Sequence, residues 1–176
     1  MSTLFVNNLN TASGTDITVP TGKKLVVTDT GGLAVPGTVV QVVQGHALGS
    51  VTSDTGSFVE SGIDVNITPK FASSKIFIQA TAPCDSDANG RQIFLTLYRD
   101  STRVDSSVIS GSYGLGTWYG GSSRNIGNTT IQFLDSPNST SQLHYELYFR
   151  SAANGSTVEV CTQSCAGVIM CMEIAQ

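Results

Sequence analysis

Charge is what this chain has least of. Asp, Glu, Lys and Arg supply 12% of its 176 residues, about half the share of an ordinary soluble domain. The basic residues are scattered, at Lys23, Lys24, Lys70, Lys75, Arg91, Arg99, Arg103, Arg124 and Arg150. No stripe of them interleaves with aromatics, so the sequence shows no footprint for phosphates and no nucleic-acid partner is expected. Long apolar runs are absent as well. None approaches the ~20 residues of a membrane-spanning helix, and no membrane insertion is expected. The opening Met1-Ser2-Thr3 lacks a charged and then apolar leader, which predicts synthesis in a cytoplasm without export by the standard route.

Histidine occurs only at position 46, expected in a Gly-flanked loop, and at position 144, and no Gly-x-Ser-x-Gly motif is present, so a nucleophile triad has no advertised parts. A carboxylate pair could be assembled from many aspartates and therefore carries no information. No catalytic residue and no cofactor is expected, and the chain reads as a non-enzyme. Cysteine is sparse too: Cys84, Cys161, Cys165 and Cys171 are too few to staple a chain of this length. Cys161-x-x-x-Cys165 has no second half with zinc-ligand spacing, so buried or interfacial thiols are the favoured reading over a metal site or an oxidised pair.

Ser, Thr, Asn and Gly fill the place of the missing charge, and hydrophobic residues still reach 40%. With a net charge of only −4 and regularly patterned apolar positions, this composition suits strands joined by tight turns rather than disorder. Residues 1–37 differ from the remainder. Three short apolar stretches, Leu4-Phe5-Val6, Ile17-Thr18-Val19 and Leu25-Val26-Val27, alternate with polar turns and a hinge-like Leu33-Ala34-Val35-Pro36-Gly37 follows. Each stretch is long enough for a strand and too short to bury a core alone. They need a partner surface, either the main domain, where they would form an ordinary edge sheet, or other subunits. The division expected is an N-terminal attachment arm or short shaft over 1–37 and a β-sandwich over 38–176.

From Thr38 the strands lengthen. Val39, Gln41 and Val43 share one face and Val40 and Val42 the other, which predicts burial on both sides. Further strands are expected at Phe58–Ile67 (broken near Gly62), Lys75–Thr81, Arg91–Arg99, Thr102–Ile109, Asn128–Leu134, Gln142–Arg150, Thr157–Cys161 and Val168–Ile174. The clearest has Leu143, Tyr145, Leu147 and Phe149 on one face against Gln142, His144, Glu146 and Arg150 on the other, a period of two that no helix explains. Turn signals separate the runs, and no stretch has helical period. The fold class predicted is all-β: a two-sheet antiparallel sandwich, jelly-roll-like, with an N-terminal arm of short strands.

Two segments invite a site. Asp85-Ser86-Asp87-Ala88-Asn89-Gly90 matches the first half of a calcium loop, but position twelve is Thr96 rather than Glu and a strand follows, so a polar connection is favoured over a cation site at Asp85, Asp87 and Asn89. The segment from Gly111 to Gly121 holds the single tryptophan, Trp118, with Tyr113 and Tyr119. Loop aromatics can grip a sugar or a protein. Equally, Trp118 can simply cover the end of the sandwich.

Several segments together resemble a family. Val39-Val40-Gln41-Val42-Val43-Gln44, Ser61 through Pro69, Ala72-Ser73-Ser74-Lys75-Ile76, Leu97-Tyr98-Arg99-Asp100, Phe133 through Asn138 and the closing Met172-Glu173-Ile174-Ala175-Gln176 occur in an order similar to small tail-fibre-like or virion decoration proteins of marine and cyanobacterial tailed phages. The opening, with Asn7-Asn8-Leu9 and Thr18 through Lys23, is similar to the start of such proteins. The resemblance implies a particle-bound homotrimer on the virion surface, acting as a fibre or as a capsid decoration (cement) protein. Its arm would meet capsid or tail proteins, and a host surface glycan is a candidate further partner. The partner-binding residues expected are Leu4, Phe5 and Val6 in the arm and Tyr113, Trp118 and Tyr119 in the loop. The rival from another class is a monomeric carbohydrate-binding module.

Overall fold

The computed structural model describes residues 18–28, 32–33, 35–86, 91–109, 113–121 and 124–176. The apolar alternation read from the sequence folds into two antiparallel sheets packed face to face, so the all-β sandwich is observed. Eleven strands are formed among the described residues: β1 (Val39–Ala47), β2 (Val51–Ser53), β3 (Val59–Ile67), β4 (Lys75–Ser86), β5 (Gln92–Arg99), β6 (Thr102–Arg103), β7 (Gly116–Tyr119), β8 (Asn125–Asp135), β9 (Leu143–Ser151), β10 (Val158–Val160) and β11 (Gly167–Ile174). The helical content among them is a single 3₁₀ turn at Thr162–Ser164.

Sheet A holds six strands, in the order β1-β11-β4-β10-β2, with β8 on the other side of β4. Sheet B holds five, in the order β3-β9-β5-β6, with β7 also pairing β5. The long β4 organises sheet A: β8 pairs along its whole length, while β11 and β10 share its opposite edge. Between the sheets lie Ile63, Ile67, Ile76, Ile78, Ile93, Leu95, Leu97, Tyr145, Leu147, Phe149 and Ile169, each almost wholly removed from water. Burying one such aliphatic side chain is worth ~1.5–3 kcal/mol, so this layer dominates the favourable side of folding.

Polar ties close the sandwich where apolar packing ends. The buried Glu173 of β11 accepts the backbone N–H groups of Lys70 and Phe71 at 2.8 and 3.1 Å and the Gln41 amide at 2.6 Å, which holds the β3–β4 connection against sheet A. Asp135, at the end of β8, accepts the Tyr145 hydroxyl at 2.7 Å and Arg99 at 2.5 Å, joining sheet A to two strands of sheet B. Burial and the adjacent Asp135 carboxylate push the Tyr145 phenol far above its usual range, so it stays a donor. The break expected near Gly62 is a bulge: register shifts between Glu60 and Asp64, with Gly62 at φ +72°, a conformation that favours glycine.

Four expectations change. β1 is half-buried on one face and open on the other, because its outer residues Val39 and Val42 lie on the open side of sheet A, 52% and 53% exposed. The strand expected over Thr102–Ile109 stops at Arg103: Val108 and Ile109 donate their N–H groups to the Asp105 carbonyl, which turns the chain and leaves Val108 exposed. His46 belongs to β1 rather than to a loop. Of the arm, Leu25-Val26-Val27 forms no strand and is exposed, while Leu4-Phe5-Val6 and Ile17 lie outside the described residues.

Candidate functional site

The outer face of sheet B carries the densest set of aromatic and charged side chains. Alternation on β5 turns Ile93, Leu95 and Leu97 into the core and therefore Gln92, Phe94, Thr96 and Tyr98 outward. On β9 the same rule turns His144, Glu146, Tyr148 and Arg150 outward, in register with β5 through the pairs Phe94–Arg150, Thr96–Tyr148 and Tyr98–Glu146. The short β7 adds Thr117 and Tyr119 opposite Phe94 and Gln92.

These side chains pack on one another. Tyr98 and Tyr148 stack with centroids 4.0 Å apart, and the Tyr148 hydroxyl donates to Glu60 at 3.0 Å. The Arg150 guanidinium lies 4.5 Å from the Phe94 centroid and 5.6 Å from that of Phe58, while Arg103 covers Phe58 from 5.0 Å. Such cation–π contacts are each worth ~0.5–2 kcal/mol, more as the cation is desolvated. Arg103 is fixed by both carboxylate oxygens of the fully buried Asp105, one at 2.9 Å, and donates to the Tyr113 carbonyl. Tyr113 in turn meets the edge of Phe94 at 5.4 Å.

The electrostatics follow from this crowding. Burial pushes the Glu146 carboxyl above its usual value, with nearby Glu60 and Asp64 adding to the rise and the Gly62 N–H, 3.0 Å away, opposing it. Tyr148 is pushed up to about 12 by burial and by Glu60. Burial and the neighbouring Arg103 cation lower Arg150 from its ordinary value. His144 sits on this face, half-exposed, with Nε2 3.1 Å from Asp64 Oδ2.

The expected contact residues are divided by this geometry. Tyr113 and Tyr119 stand out from the sheet, 64% and 58% exposed. Trp118 points the other way. Its indole packs against the core and over Gly127 of β8, and its N–H donates to the Asn125 carbonyl at 3.3 Å. Trp118 thus closes the side of the sandwich, the alternative left open by the sequence. Gln92 orients the neighbouring Thr117 through a 2.9 Å bond. What the sequence did not signal is the support around Tyr113: Phe94, Phe58, Arg103 and Arg150 come from four separate strands or loops and meet only in the fold.

The calcium-loop half is used differently. Asp85 lies in β4, almost wholly buried, and its Oδ2 accepts Arg124 Nε at 2.8 Å and the Thr162 hydroxyl at 3.2 Å. Asp87 and Asn89 lie outside the described residues. All four cysteines are free thiols; Cys84, Cys161 and Cys171 are buried, whereas Cys165 is exposed. Among the described residues no group of three or more His, Cys, Asp or Glu side chains is placed to hold a metal ion.

No protein-family model matches the chain, and no curated protein matches it in sequence. Loose structural likenesses are found to virus particles. For infectious bursal disease virus, Gx strain, the TM-score is 0.43 at 13% identity, over 78% of this chain and 33% of the other. For T=1 particles derived from infectious bursal virus it is 0.41 at 8% identity, over 88% and 41%. For the extra small virus particle of the prawn Macrobrachium rosenbergii it is 0.24 at 10% identity, over 96% and 94%. The chain thus spans about a third to two fifths of the bursal-virus chains it resembles, and at these TM-scores no residue role passes from any of them to this one.

Proposed function

We propose that this protein is a non-enzymatic structural component of a tailed-phage virion, a homotrimeric fibre or decoration protein displayed on the particle surface. The observation that carries the reading is the state of the N-terminal segment. Leu25, Val26 and Val27 are 67%, 62% and 42% exposed and belong to no strand. Three adjacent apolar side chains left in water are a surface waiting for cover, and stretches this short need a partner surface. In this reading residues 1–37 attach the protein to capsid or tail subunits, with Leu4, Phe5 and Val6 as further contacts, and residues 38–176 project outward. The resemblance to small virion proteins in strand-and-turn segments supports the same placement.

Fibre and decoration roles differ at sheet B. A fibre would use Tyr113 and Tyr119 to meet a host glycan, their rings exposed and their backbones held by Arg103 and by the β5–β7 pairing. The same pair of tyrosines favours the second reading, a monomeric carbohydrate-binding module. The full chain carrying Leu25→Ser and Val26→Ser, mixed with particles lacking the protein, tests attachment. Wild type is expected to co-sediment and the variant to stay in solution; a wild type that never co-sediments contradicts the virion reading. Replacing Tyr113 and Tyr119 by Ala then separates the roles, since lost adsorption marks a fibre and unchanged adsorption a decoration protein. Glycan retention by a protein of single-chain mass would favour the module.

A further inference from the structure

Sheet A has one face in the core and the other open, and the open face has an ordered composition. Register sets Val42 of β1, Met172 of β11, Phe77 of β4 and Leu134 of β8 side by side in a single row across four strands. Val42 and Leu134 at its ends are 53% and 46% exposed. On one side of this row lie Val39 and Ile174 with Lys75; on the other come Gln44, Met170, Gln79 and Gln132, then His46, Val168, Thr81 and Thr130. These rows contain no carboxylate, whereas the outer face of sheet B carries Glu60, Asp64 and Glu146.

We propose that this open face of sheet A is the self-association surface of the protein, covered by the same face of further copies of the chain. The charge distribution points to that occupant. Copies that each carry a net −4 repel one another, and they approach at least cost through these rows, which bear no acidic group; the acidic residues of this face, Asp85 and Glu159, lie beyond them at the β10 end. The side chains are also self-complementary. Each glutamine amide offers both donors and acceptors, so a row of Gln44, Gln79 and Gln132 finds its partners in an identical row without an opposite charge. The size fits as well. Four strands about 4.8 Å apart, over about eight residues of 3.3 Å each, give roughly 500 Å² in flat projection. Side-chain relief raises this toward the ~800 Å² per partner of a standard stable interface. Three such faces turned toward a three-fold axis make a closed assembly and shield the long β8 edge.

The inference rests on the self-association proposed above and names the surface responsible. The test is the native mass of the full chain by light scattering, for wild type and for a Val42→Lys, Leu134→Lys double variant, with Asn66→Lys on the opposite sheet as control. Wild type and the control are expected at the mass of three chains and the double variant at 18.4 kDa with an unchanged far-UV spectrum. A double variant that keeps the wild-type mass overturns this surface while leaving the trimer standing. A wild type of single-chain mass at every concentration overturns both. A second measurement on wild type is independent of how the variant folds: peroxide oxidation of Met170 and Met172, followed by mass spectrometry, should slow several-fold at concentrations that assemble the protein. Equal rates in dilute and concentrated samples overturn the proposal.

Discussion

Gly127 and Trp118 offer the sharpest test of how the sandwich is closed. A Cβ built on Gly127 would sit 2.2 Å from Trp118 Cη2 and 2.7 Å from Cζ2, far inside van der Waals contact. Gly127 is not among the glycines of positive φ, so alanine can adopt its backbone, and the whole penalty comes from the indole. Overpacking of this kind costs ~1–3 kcal/mol. Against it stands ~0.5–1 kcal/mol that Ala gains over Gly inside a regular strand or helix. Gly127→Ala alone should therefore lower stability by about 1–2 kcal/mol, or Tm by about 2–8 °C for a chain of this size. In a Trp118→Ala background the ring is gone, and the same substitution should be neutral or slightly stabilising. Urea unfolding of the four proteins in the cycle measures the difference. A coupling of at least 1 kcal/mol is expected, and additivity within about 0.5 kcal/mol would refute the placement of Trp118 over β8.

Other expectations concern titration, thiols and the polar tie between sheets. Glu146 has its folded-state pKa raised above the reference 4.5, so the folded protein holds its proton more tightly than the unfolded chain does. The sign then follows: this group contributes stability below pH 4.5 that is lost as pH rises toward the folded value. Glu146→Gln keeps an oxygen for the Gly62 N–H and should flatten that decline in pH-dependent urea midpoints; an unchanged slope would count against the buried, crowded carboxyl. Cys84 and Cys171, pushed up to about 11 and about 12 by burial, and Cys161, also raised by burial, should resist a thiol reagent in the native state, with only Cys165 labelled rapidly. Rapid native labelling of two or more thiols would contradict the packing of β4, β10 and β11. Asp135→Ala strands both the Tyr145 hydroxyl and Arg99 and should cost about 3–5 kcal/mol by urea unfolding, and a loss below 1 kcal/mol would show that the tie is not a working contact.

How much of this was legible in the sequence depended on whether one face of a strand meets the core and the other meets water. β9 is the clear case: Leu143, Tyr145, Leu147 and Phe149 all enter the core, so alternation alone named strand and face. Its second face was harder, since Glu146 and Arg150 are polar yet buried, Arg150 against aromatics contributed from β5 and the segment before β3. β1 misled because valines on both faces look like double burial, whereas here they furnish an open apolar row. The stretch after Arg103 has the apolar content of a strand, but Asp105 is spent on pairing with Arg103 and on turning the chain. β2 and β7 are only three and four residues long, too short for a period to register, and their pairing comes entirely from strands distant in sequence. The single tryptophan drew attention to this segment, but adjacent positions on β7 face opposite ways, so Trp118 turns toward the core and the exposed member is Tyr119.

The claim on which the rest depends is that copies of this chain assemble with one another. Light scattering of the purified full chain, repeated in unheated detergent, measures it directly. The mass of three chains, retained in detergent, is the predicted result. A stable mass of 18.4 kDa across the accessible concentrations would contradict it.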